Sequence, residues 1–146
     1  MAVIATNEKD KFNSLVVHPY SDYIKGFRRR LAKERVYRSE LRAEALKTAK
    51  RAAHIFAEEF HVHKVYLFGS ILREDDYFNE KSDIDLAVQG LPEKFYFQAA
   101  RRLDELFPNR FEFDLVTMES CPESLRRRIL REGVILGMFQ ISSKIS

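Results

Sequence analysis

Residues Val65–Val88 read VYLFGSILREDDYFNEKSDIDLAV, and this segment carries most of the sequence information about the fold. Its first four residues are apolar and predict a buried strand that ends at Gly69-Ser70. Twelve residues follow Ser70 before Asp83-Ile84-Asp85 opens a second apolar run. Because successive side chains of a strand point to opposite faces, we expect Asp83 and Asp85 on one face.

The pair Asp83 and Asp85 predicts a cation site. Two carboxylates side by side on a half-buried strand repel each other and are costly to desolvate. A bound cation offsets both the repulsion between the two carboxylates and the cost of desolvating them. Hard oxygen ligands of this kind suit Mg²⁺, which proteins normally bind through a few carboxylates together with the phosphates of a substrate. An isolated Asp-x-Asp also occurs in turns and at solvated strand edges, so the pair needs a third ligand.

The segment FEFDLV at residues 111–116 supplies a third carboxylate, Asp114. Its alternating pattern predicts a strand with Phe111, Phe113 and Leu115 on one face and Asp114 on the other. If this strand lies beside the Asp83–Asp85 strand, three carboxylates converge. Such a triad suits two metal ions about 4 Å apart, the arrangement used for in-line phosphoryl transfer.

A strand, a Gly-Ser pair, a spacer, Asp-x-Asp and a lone Asp on a later strand resemble the minimal nucleotidyltransferases of the polymerase-β-like superfamily. The resemblance covers roughly residues 62–134, and the stretch at residues 125–134 is also similar to the end of many members. It implies an α+β fold with a small mixed β-sheet, helices packed on one face, and a long preceding helix. We expect strands near residues 64–68, 83–89 and 111–117, with a fourth at 134–138.

The resemblance also implies roles for particular residues. Gly69 and Ser70 would bind the nucleotide phosphates, Asp83 and Asp85 would bind both magnesium ions, and Asp114 would complete the catalytic metal site. Arg73 stands where the family has a basic residue. The spacer is longer than the usual one in the family, and Glu74 replaces a frequent glycine. Extra residues in a surface loop cost little, so we expect an enlarged loop at residues 75–82 beside an intact site.

The resemblance further implies a function, namely magnesium-dependent transfer of AMP from ATP to a hydroxyl group. Larger members of the superfamily have an additional domain for the second substrate, whereas this chain has no room for one. The implied acceptor is therefore a partner protein, a HEPN-type ribonuclease toxin modified on a tyrosine, with this chain as the antitoxin. Two alternatives stay open: an antitoxin that acts by binding alone, and a nucleotidyltransferase acting on a small molecule.

The composition of the 146 residues, 45% hydrophobic and 32% charged, is typical of a single folded domain. No apolar run is long enough to span a membrane. Cys121, the only cysteine, excludes an intramolecular disulfide framework, which fits a reducing cytoplasm. His61 and His63 mark a turn before the Val65 strand, or a zinc site without a cysteine ligand.

The first part of the chain is expected to form a flexible arm at residues 1–27 and a long helix at residues 28–60, where proline and glycine are absent. We predict that this helix belongs to a single domain at residues 28–146 and that its last turns pack on the sheet. The helix is strongly basic. Its charge indicates a solvated face, docking of an acidic partner protein or, least in keeping with the few interleaved aromatic residues, nucleic-acid binding.

Two further helices are expected. The first covers residues 93–107, with Phe95, Tyr96 and Phe97 more typical of core packing than of base stacking. The second lies between Pro122 and Gly133, where proline and glycine are common at the first turn and the end of a helix. Its four arginines predict a solvated face, or contacts with phosphates or a partner.

Overall fold

The computed structural model describes residues 2–73, 78–108 and 110–139, with side chains described from residue 21 onward. The chain divides into two compact units, Met1–Tyr37 and Arg38–Ser146. The elements, in chain order, are α1 (Ala2–Phe60), β1 (Lys64–Phe68), a 3-10 turn at Ser70–Leu72, β2 (Asp83–Gln89), a 3-10 turn at Glu93–Phe95 continuing into α2 (Tyr96–Leu106), β3 (Glu112–Thr117), α3 (Glu123–Glu132) and β4 (Val134–Met138).

The four strands form one mixed sheet in the order β3-β2-β1-β4. Strand β1 is antiparallel to both β2 and β4, whereas β2 and β3 are parallel. The parallel pair requires a crossover connection, and α2 provides it. This pairing confirms the predicted α+β fold with a small mixed sheet, and all four strands lie where the sequence predicts them.

The larger core lies between one face of the sheet and the helices α1 and α2. Val65, Leu67, Ile84, Leu86 and Val88 line this face, and every one of them is fully buried. Alternation along each strand produces this result, since residues two apart point to the same side. The last turns of α1 pack against the face as predicted. The buried residues that α1 contributes are Leu41, Ala45, Ala49, Ala52, Ala53 and Phe56.

Helix α3 packs on the opposite face of the sheet, whereas the helices were expected on one face only. Its Ile129 is buried against Tyr66, Phe68 and Ala87, which point away from the larger core. The physical reason is that Tyr66 and Phe68 are large apolar side chains on the outward positions of β1, and α3 removes them from water. The same face carries the acidic residues.

Helix α1 begins at Ala2, although the sequence predicts an irregular arm up to residue 27. Pro19 lies within this helix. A proline removes one backbone hydrogen bond and crowds the preceding turn, which can kink a helix without ending it. The boundary between the compact units follows Tyr37, inside this helix.

Other expectations are met to different degrees. A turn was expected at His61, before β1, and His61 there has a positive φ of 56°. Phe95 and Tyr96 pack against the larger core, whereas Phe97 is 77% exposed. Of the loop predicted at residues 75–82, residues 75–77 lie outside the described part, and Phe78 is buried with its ring 6.3 Å from that of Phe111. No described helix is long and apolar enough to cross a membrane.

Candidate active site

The site begins at Gly69, where β1 ends. Gly69 has a φ of 87°, in the left-handed region that side chains with a Cβ rarely adopt. A Cβ atom built on Gly69 would also overlap the Oδ2 atom of Asp85 on the neighbouring strand. The glycine is therefore required twice, for its backbone conformation and for the close approach of this turn to the Asp85 carboxylate.

The turn that follows Gly69 is held by both backbone and side-chain hydrogen bonds. The Leu72 amide donates to the Gly69 carbonyl at 3.1 Å, and Ile71 is completely buried. From α1, Arg42 Nε donates to the Ile71 carbonyl at 2.6 Å. These contacts fix the backbone around Ser70, whose side chain is partly exposed at the edge of the site.

The predicted acidic residues come together on one face of the sheet through the parallel pairing of β2 and β3. Asp85 lies directly opposite Asp114, and Asp83 lies two residues earlier on the same face. On its other side, Asp85 lies opposite Phe68, the residue that precedes Gly69. Asp83 and Asp114 are exposed, whereas Asp85 is half-buried.

Asp85 is the electrostatic centre of this face. Burial is the largest cause that raises the pKa of Asp85 from an ordinary value of 3.8 to about 6, and the nearby carboxylates of Asp114 and Asp83 contribute to this rise. Arg128 of α3 acts against them and lowers this pKa. The Asp85 carboxylate is thus costly to ionise in the folded protein and stands to gain from a nearby cation.

The carboxylates fit a hard cation in chemistry and in backbone position. Asp85 and Asp114 are neighbours across two strands, and the missing side chain of Gly69 leaves room for the Asp85 carboxylate itself. As the side chains are placed, however, no three Asp, Glu, His or Cys side chains of the described residues form a cluster able to hold a metal ion.

A pocket of about 460 Å³ adjoins the Gly69-Ser70 turn. Arg73 and Arg128 both line it, so two guanidinium groups face a cavity beside the acidic cluster. A larger cavity of about 810 Å³ lies at the beginning of β2 and β3, where Asp83 is part of its wall. We assign the chemistry to the smaller pocket because it is lined by Gly69, which closely approaches Asp85, and by Arg128, whose charge lowers the pKa of Asp85.

Residues 50–138, more than half of the chain, match the profile of a protein family described as polymerase beta, nucleotidyltransferase. The chain belongs to this nucleotidyltransferase family. The match contains β1 to β4 and all six predicted site residues: Gly69, Ser70, Arg73, Asp83, Asp85 and Asp114. No curated protein sequence matches the chain.

Solved structures share the nucleotidyltransferase fold at low sequence identity. A toxin–antitoxin structure with AMP-PNP is 22% identical, with a TM-score of 0.51, 66% of this chain covered and 78% of the other. A mutant of the MntA–HpeT toxin–antitoxin is 20% identical, with a TM-score of 0.50 and the same coverage. A tri-AMPylated HEPN toxin of Shewanella oneidensis in complex with its MNT antitoxin gives 21% identity, a TM-score of 0.41, and coverage of 74% and 78%.

Two residues of this candidate site were not predicted as site residues from the sequence. Arg42 was counted among the charges of the basic helix, yet it is half-buried and supports the Ser70–Leu72 turn. Arg128 was one of four arginines of α3 for which the sequence predicts a solvated face, or contacts with phosphates or a partner. No signal in the sequence separates it from its neighbours, because only the packing of α3 on β1 directs it toward the pocket.

Proposed function

We propose that this nucleotidyltransferase transfers AMP from ATP to a hydroxyl group of a partner protein, with release of pyrophosphate. The observation that carries the proposal is the placement of Asp85 directly opposite Asp114, with the Gly69-Ser70 turn against Asp85. A site of this kind juxtaposes an acidic cluster that suits metal ions with a turn and two guanidinium groups that suit phosphates.

In the proposed reaction, the acceptor oxygen forms a bond to the α-phosphorus while the bond from that phosphorus to the bridging oxygen breaks. The electron pair of the broken bond leaves on pyrophosphate, and the hydroxyl proton passes to solvent beside the exposed Asp114. Gly69, Ser70 and Arg73 hold the triphosphate. Mg²⁺ held by Asp83, Asp85 and Asp114 would lower the pKa of the acceptor hydroxyl and offset the phosphate charge.

The exposure of the acidic face supports a macromolecular acceptor. Asp83 and Asp114 are open to solvent, so a side chain on the surface of another protein can approach them. Neighbours of the same fold occur in toxin–antitoxin structures, one of them with AMP-PNP. Together with the sequence resemblance, this supports a HEPN-type toxin as the partner and tyrosine as the acceptor, in the cytoplasm, with this chain as the antitoxin.

The experiment is incubation of the chain and its partner with ATP labelled in the α-phosphate, in Mg²⁺. The partner to supply is the product of the neighbouring gene. We expect label on the partner with the native chain and at least a hundredfold slower labelling with Asp83→Asn or Asp85→Asn, since loss of a shared metal ligand removes several kcal/mol of transition-state stabilisation. Labelling within a few-fold of native by both variants would contradict the mechanism.

A second candidate function is neutralisation of the partner by binding alone. The observation in its favour is that the described carboxylates, as placed, do not form a cluster of three ligands. The two functions differ in one measurement, the activity of the partner in the presence of Asp85→Asn. Full neutralisation by this variant supports binding alone, whereas loss of neutralisation supports AMP transfer.

A further inference from the structure

The pocket beside the Gly69-Ser70 turn has a basic residue, Arg128, to which the proposed reaction gives no role. Ser70, Arg73 and Arg128 line this cavity of about 460 Å³. A guanidinium group offers several donors in a planar fork that matches phosphate oxygens. One acidic residue, Glu132, also lines the pocket, and its carboxylate lies 3.3 Å from Arg131 Nη2, which compensates part of its charge.

The orientation of α3 determines which of its arginines reaches the pocket. Ile129 is buried in the cluster with Tyr66 and Phe68, so one side of the helix is fixed against β1. Arg126 Nε donates to the Met118 carbonyl at 2.7 Å, which ties the first turns of the helix to the end of β3. At the other end, a Cβ on Gly133 would come within 3.3 Å of the Leu67 carbonyl. The helix therefore has little freedom to rotate.

The arginines of α3 differ in their partners. Arg126 and Arg127 pair with Glu123, and Arg131 pairs with Glu132. Arg128, by contrast, makes no hydrogen bond or ion pair within the part of the chain that the structure describes. It lines the pocket and lies close enough to Asp85 to influence the charge there. A basic group in this position can contact an anion that extends from the acidic face into the pocket.

We propose that Arg128 binds the pyrophosphate portion of the nucleotide in this pocket, together with Arg73. The inference rests on the proposed function, because it places the α-phosphate at the acidic cluster and the β- and γ-phosphates beside α3. Arg128 thereby attracts the leaving group toward the pocket as its negative charge develops. Neither the Gly-Ser motif nor the Asp-x-Asp motif contains this residue, which comes from a helix 58 residues after Ser70.

The test is binding of inorganic tripolyphosphate and of ATP, each with Mg²⁺ and without acceptor, measured by calorimetry. Arg128→Gln is expected to weaken both by about ten- to a hundredfold, the effect of losing hydrogen bonds to a charged group. Arg127→Gln is the matched control, since Arg127 is the adjacent residue of the same helix and its side chain is 77% exposed. It should bind both ligands like the native chain. Arg128→Lys should lie in between, because it keeps the charge and loses the fork.

Two outcomes would overturn the inference. The first is equal tripolyphosphate affinity in Arg128→Gln and the native chain, with thermal unfolding showing both folded. The second is stronger Mg²⁺-dependent binding in Arg128→Gln, the result expected if Arg128 only opposes cations at Asp85. The inference and the proposed function can be contradicted independently. If tripolyphosphate binding depends on Arg128 but no AMP is transferred to the partner, the proposed function is contradicted. If AMP transfer is unaffected by Arg128→Gln, the inference is contradicted.

Discussion

Asp85→Asn should make the metal-free protein more stable. Burial and two neighbouring carboxylates raise the pKa of Asp85 from 3.8 to about 6. A pKa difference of one corresponds to about 1.4 kcal/mol, so the ionised Asp85 costs at most about 3 kcal/mol of folding free energy. Because Asp85 is only half-buried, solvent screens part of this cost. We therefore expect Asp85→Asn to gain roughly 1–2 kcal/mol at pH 7.5.

The pH dependence follows from the direction of the pKa shift. Well below pH 3.8, Asp85 is protonated in both the folded and unfolded states, and its cost vanishes. The cost grows as the pH rises from 3.8 to about 6 and is complete above that value. The stabilisation by Asp85→Asn should therefore be complete at pH 7.5 and mostly lost at pH 4.

Urea unfolding in a metal chelator measures this effect, with Asp104→Asn as the control at an exposed carboxylate of α2. The control should change the free energy of unfolding by less than about 0.5 kcal/mol. Addition of Mg²⁺ should reverse the order, since only the native chain keeps all three acidic side chains that would bind it. An Asp85→Asn variant less stable than native at pH 7.5 in chelator would refute the reasoning.

Further predictions concern other parts of the molecule. Gly69→Ala should lower the free energy of unfolding by about 1–3 kcal/mol and weaken ATP binding, because of its positive φ and its overlap with Asp85. Gly26→Ala, which has open space around it in α1, is the control and should stabilise by up to about 1 kcal/mol; equal losses of stability in both would contradict this account. Arg42→Gln should reduce the affinity for ATP more than the affinity for the partner, since Arg42 donates a hydrogen bond to the Ser70–Leu72 turn. Unchanged ATP binding would contradict this role of the Arg42 hydrogen bond. Reversal of the exposed charges at residues 28–30 to Glu should weaken the complex with the partner at low salt and leave ATP binding unchanged. Partner affinity that is independent of both the substitution and salt would assign these charges to a solvated face.

The amino-acid sequence by itself determined which residues form the strands and which side of each strand is apolar. Alternation of side chains is a local property, so Asp83 and Asp85 were expected on one face before any pairing was known. The same rule placed Asp114 and Leu115 on opposite faces of their strand. The order of these motifs along the chain was enough to indicate the family. The apolar side of α1 follows less clearly from the sequence, because Leu41 and Ala45 are buried whereas Ala43, a small apolar residue between them, is exposed.

Only the tertiary structure decided which distant residues meet. The parallel register that places Asp85 opposite Asp114 depends on the crossover through α2, and no local pattern specifies it. The surroundings of the arginines were likewise decided by the tertiary structure. Nothing in the local sequence distinguishes a helical arginine that faces solvent from one that lines a pocket. Arg42 donates a hydrogen bond to the Ser70–Leu72 turn because α1 packs beside that turn. Arg128 reached the pocket because Ile129, its apolar neighbour, fixed the rotation of α3 on the sheet.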